Sequence, residues 1–138
     1  MANKKSWHDK LQEKKEAKVK HIDFKFADIP ADSKMYIATP QIIDNYIKQI
    51  PEGKKVSVLS MRKDLAIENN AEYTCPVTTG IFLRIVAEAN YEKYTQTNSL
   101  DDITPFWRII EPNSALVKKI TFGKDFIIEQ RKAESLDE

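Results

Sequence analysis

The densest cluster of side chains able to do chemistry or recognition lies in "ITPFWRIIEP", residues 103–112, where Phe106 and Trp107 follow Pro105 and stand beside Arg108. Aromatic faces hold nucleobases at roughly 1–3 kcal/mol each, so the two rings suit a stacking wall. In a strand that alternates its faces, one ring would instead point inward as core. A second cluster, Thr78-Thr79-Gly80, places two hydroxyls and a glycine ahead of an apolar run. At a helix N-terminus that set suits close approach of a phosphate or base, and equally suits an ordinary N-cap. Arg62, Lys63, Lys118 and Lys119 are candidate phosphate contacts, with Arg84 in the helix after the threonines.

Other reactive side chains carry less. Cys75 is the only cysteine; with no histidine near it and an apolar helix after it, it reads as a buried, inert thiol. A single cysteine excludes an internal disulfide framework and suits a reducing compartment. His8 and His21 are too isolated for a metal site, and no cofactor is expected. Asp101-Asp102 is polar loop. The N-terminus lacks the apolar stretch of a secretory signal, and no run approaches the roughly 18 apolar residues of a membrane helix. The expectation is a soluble, cytoplasmic protein without membrane contact.

The elements that would position these residues follow from periodicity and turn chemistry. Composition, 41% hydrophobic and 31% charged over 138 residues, fits one well-solvated domain. The net charge of +1 hides a basic leader: positions 4–25 hold eight lysines against four acids, an excess of +4. The leader reads as a solvated helix fastened by Trp7 and Leu11. Thr39-Pro40 starts a helix whose buried stripe is Ile42, Ile43, Tyr46, Ile47 and Ile50. Val56 and Val58 alternate as a short strand, and Ser60 caps a helix through Met61, Leu65 and Ala66. Thr78 or Thr79 caps the next helix, with Ile81, Phe82, Ile85, Val86 and Ala89 as its apolar face. "FWRII" and "LVKKITF" are rich in β-formers and, joined by "EPNSA", read as a hairpin. "KDFIIEQRKAE" closes as a helix, followed by a frayed tail from Glu134.

Two successive helices and a hairpin are the sequence pattern of a winged helix-turn-helix. The fold expectation is therefore α+β and mostly helical: a basic helical extension over 1–34, a winged-helix domain over 35–134 and a tail over 135–138.

The ordered blocks "IPEGKKVSVLSMRKDLA", "TCPVTTGIFLRIVAEA" and "TPFWRIIEPNSALVKKITFGKDFIIEQRKAE" resemble the C-terminal DNA-binding domain of the methylated-DNA–protein-cysteine methyltransferase family, over roughly residues 35 to 134. Within the family they are most similar to the short alkyltransferase-like branch. Its motif, Pro-Cys-His-Arg followed by Val, falls on Pro105, Phe106, Trp107, Arg108 and Ile109. The alkyl-accepting cysteine is thus replaced by Phe106, whose ring cannot attack carbon, and Trp107 cannot act as the base. The family tyrosine falls near Leu59; the arginine that fills the vacated stack belongs near Thr78–Gly80, about one turn before Arg84. The resemblance implies a non-enzymatic protein that binds double-stranded DNA and recognises alkylated guanine without repairing it. The alternative is a protein-interaction module that kept the fold without DNA binding, which the near-neutral charge favours.

Overall fold

The computed structural model describes residues 6–137. Its elements are α1 (Trp7–Gln12), β1 (Lys18–Ile22), β2 (Ser33–Ile37), α2 (Pro40–Lys48), α3 (Val58–Glu68), β3 (Tyr73–Thr74), α4 (Pro76–Thr97) and α5 (Asp125–Ala133), with 3-10 turns at Phe106–Arg108 and Ala115–Lys118. The fold is α+β, largely helical, with one three-stranded sheet in the order β1-β2-β3. β1 and β2 pair antiparallel, Lys18 opposite Ile37, and β3 joins β2 in parallel through Met35 and Tyr36.

Local chemistry explains most boundaries. Thr39 caps α2, its hydroxyl accepting from the Ile42 N–H at 3.2 Å, and Pro40 occupies the first turn. Ile43 and Ile47 are then fully buried against α4. α1 is capped by Ser6 and packs on α4, burying Leu11 and half-burying Trp7, the pair expected to fasten the leader. Asn98, at φ 54°, ends α4 in the left-handed conformation that asparagine tolerates. Among the described residues, no helix is long and apolar enough to cross a membrane.

Several expectations are corrected. Lys4 and Lys5 of the leader lie outside the described residues, and the described part is only partly helical: residues 18–22 form an edge strand, where alternating lysines face water and guard an exposed edge. Because β2 pairs with β1 on one side and β3 on the other, leader and body share one sheet across residue 34. Val56 and Val58 make no strand; Ser57, not Ser60, is the cap of α3, accepting from the Ser60 N–H at 3.0 Å. α4 starts at Pro76 with Cys75 as N-cap, so Thr78 and Thr79 lie inside the helix.

The hairpin is absent. Phe106, Trp107, Ile109 and Ile110 are all buried, which a strand with one wet face cannot achieve but a 3-10 turn, fanning its side chains around the axis, can. Its carbonyls bond within the turn, to one side chain and to one distant amide instead of a partner strand: the Phe106 carbonyl accepts from the Ile109 and Ile110 N–H groups, Arg131 donates to the Trp107 and Ile110 carbonyls, and the Val56 N–H to the Arg108 carbonyl. As far as Asp137, the last described residue, the tail is docked rather than frayed, since Leu136 is buried and Asp137 takes two bonds from Arg131, at 2.6 and 2.8 Å.

Candidate interaction groove

The residues of the "PFWR" segment turn inward. Phe106 is fully buried within an aromatic cluster, its ring centroid 5.6 Å from that of Trp107 and 5.7 Å from those of Phe122 and Phe126. Trp107 is 4% exposed and donates from Nε1 to Glu134 Oε2 at 2.6 Å. Arg108 grips the same carboxylate, Nε to Oε1 at 2.9 Å and Nη2 to Oε2 at 3.0 Å, and donates from Nη1 to the Ile50 carbonyl. Burial acts to raise the Glu134 carboxyl pKa, yet bonds from Arg108, the Gly53 N–H and Trp107 outweigh it and hold the group below its ordinary value. Upstream, the Thr104 N–H donates to Asn90 and its hydroxyl to Asp44, all three residues buried. This stretch is a fully satisfied clamp that ties the start of the segment to α2 and α4 and its end to α5. Pro105 is half-buried.

The other expected site residues divide. Thr79 is buried and donates its hydroxyl to the Cys75 carbonyl at 2.6 Å. Arg62 is committed: it holds Asp28 through two bonds of 2.8 Å and donates to the Thr74 carbonyl. Asp28 is correspondingly held below the ordinary carboxylate value, chiefly by the hydrogen bond from Arg62. Lys63, Lys118 and Lys119 are exposed, and Lys119 reaches the groove described next.

That groove runs along the first three turns of α4. Its larger part, about 660 Å³, lies between α1, α4 and the second 3-10 turn, with Trp7, Val77, Ile81, Ile85 and Leu116 among its walls. A smaller part of about 320 Å³ continues toward α3 past Leu83 and Ile110, the two parts sharing Pro76, Gly80 and Leu116. Val77 and Ile81 are 51% and 53% exposed, on the outward face of the helix. Lys10, Arg84 and Lys119 rim the larger part, which no carboxylate lines among the described residues; Glu111 lines the smaller. Arg84 lies over the Trp7 ring at 5.2 Å, and its Nε, 3.7 Å from Glu88, has no hydrogen-bond acceptor among the described residues. Buried Glu88 accepts from the N–H and hydroxyl of Thr121, fixing the segment that carries Leu116 and Lys119. The Thr78 hydroxyl likewise has no partner among the described residues.

Of the expected residues, Gly80, Arg84 and Lys119 thus meet on the larger part, Gly80 and Arg62 on the smaller, and Phe106 and Trp107 on neither. Trp7, Lys10, Val77, Ile81 and Leu116 were not expected there. The signal for Val77 and Ile81 was available: with Ile85 they repeat every four residues beside the core stripe of Leu83, Val86 and Ala87. A helix apolar over that much of its circumference has a second face to cover. His21, Asp23 and Asp32 are clustered, but all are exposed, and the carboxylates approach opposite nitrogens of one imidazole, an ion-pair arrangement rather than a ligand set. No family model, curated protein or solved structure matches the chain.

Proposed function

We propose that the protein is a non-enzymatic interaction module, an alkyltransferase-like helix pair, α3 and α4, whose exposed groove binds another protein. The observation that carries this reading is the character of the outward face of α4. That helix would enter the DNA major groove in a winged helix-turn-helix, yet it presents Val77 and Ile81, which offer neither donors nor acceptors to base edges. Half-exposed aliphatic side chains beside an apolar cleft suit a protein surface instead. Burial of Phe106 and commitment of Arg108 to Glu134 argue in the same direction, since neither a stacking wall nor a free guanidinium is left for an extruded base. The single buried Cys75 accords with a reducing, cytoplasmic setting.

DNA binding is the second reading, favoured by the cations Lys10, Arg84 and Lys119 on one side of the molecule. Titrating short duplexes with and without an alkylated guanine, at two salt concentrations, separates the two. The protein-binding reading expects equal, weak affinity for both duplexes that collapses as salt rises. A preference for the alkylated duplex that survives added salt overturns it. Its positive half is tested by a photo-crosslinking residue at position 81 in cells that make the protein, with Ile67, 74% exposed on α3, as control. A discrete adduct from position 81 alone is expected.

A further inference from the structure

We infer that the groove on α4 receives an acidic segment of the partner protein, apolar side chains entering beside Ile81 and Leu116 and carboxylates meeting Lys10, Arg84 and Lys119; this rests on the protein-binding reading above. Three observations converge on it. The first is charge: three cations rim the larger part of the groove, and no carboxylate lines it among the described residues. Such a rim steers and orients an anionic partner. The second is shape: the walls between those cations are aliphatic and aromatic, and the volume falls within the roughly 300–1,000 Å³ that ligand clefts span. Hydrophobic anchors and acids on one segment satisfy walls and rim together, whereas a phosphodiester chain would meet the rim alone.

The third is Gly80. A glycine inside a helix weakens it, and here nothing in the fold demands one, because a Cβ added at Gly80 would meet no atom within 4 Å. What a side chain there would occupy is the junction of the two parts of the groove. The residue keeps that junction open at a cost to α4.

The probe is a fluorescein-labelled synthetic peptide of about 16 residues with leucines at helical i, i+4 and i+7 spacing and glutamates elsewhere. Two controls accompany it, one with lysine for every glutamate and one with the residue order scrambled. Anisotropy titration at about 0.1 M salt is expected to show binding of the acidic peptide, with both controls at least about tenfold weaker. Gly80→Leu, which plugs the junction, should weaken binding by about tenfold or more while its thermal melt matches or exceeds that of the native chain. Lys119→Glu, at an exposed position, should also weaken binding by charge reversal and leave the melt unchanged. Equal binding of the lysine peptide, or full binding by a well-folded Gly80→Leu variant, overturns the inference. So does displacement of the acidic peptide by a short DNA duplex that also needs Gly80. If position 81 crosslinks a partner while the acidic peptide fails to bind, the acidic ligand is wrong and the protein-binding reading stands; if position 81 gives no adduct, both fall.

Discussion

Residues 104–110 and residues 76–85 carry similar side chains, aliphatics and hydroxyls around one arginine, and the molecule uses them in opposite ways. In the first stretch polar groups are answered from inside: Thr104 by Asn90 and Asp44, Trp107 and Arg108 by Glu134, the Trp107 and Ile110 carbonyls by Arg131. In the second, Val77 and Ile81 face outward, Gly80 leaves its junction empty, and the Thr78 hydroxyl and Arg84 Nε are without hydrogen-bond partners among the described residues. Residue type singles out the first stretch for function; the outward aliphatic face singles out the second.

Mutations should separate the two stretches most sharply at Phe106. Phe106→Ala removes a fully buried ring from a cluster of aromatics and should cost about 3–5 kcal/mol, read by urea denaturation. A loss under about 1 kcal/mol would mean the ring lies against an open site instead. Glu134→Gln comes next. It leaves the Arg108 guanidinium, 14% exposed, without its counter-charge and should cost roughly 2–3 kcal/mol.

The same carboxylate sharpens the contrast through pH. Because its folded pKa lies below the ordinary value of 4.5, its contribution is fully present above that value and is lost as pH falls through the lower, folded one. Native stability should therefore fall faster than that of Glu134→Gln as pH drops below 4.5, in parallel denaturation series. Identical slopes would refute the clamp. In the groove the effects reverse or vanish: Gly80→Ala should add about 0.5–1 kcal/mol. Ile81→Asp should shift stability by no more than about 0.5 kcal/mol while weakening partner binding. A large stability loss at either position would make the groove part of the core.

How much of this could be read ahead is itself physical. The caps and stripes of α2 are local signals, and Thr39, Pro40, Ile43 and Ile47 behave as their spacing dictates. "FWRII" misleads because β-propensity measures fit to a half-buried pleated surface, whereas this segment buries both its aromatics and both its isoleucines and has its carbonyls met from afar by Arg131 and the Val56 N–H. Lysines at 18 and 20 read as helix by composition, but their pairing with Ile37 and Met35 is non-local. Gly80, Arg84 and Lys119, named from sequence as candidate DNA or ligand contacts, do line the groove. Trp7 and Leu116 were not so named, since only packing of α1 and the second 3-10 turn against α4 brings them there.

Photo-crosslinking from position 81 in native and Gly80→Leu backgrounds decides whether α4 rather than the Phe106 segment is the working face. If it is, a discrete adduct forms at position 81 and disappears when Gly80 is filled, with none from position 67 in either background. An adduct of equal intensity from both positions, or one indifferent to Gly80→Leu, would contradict it.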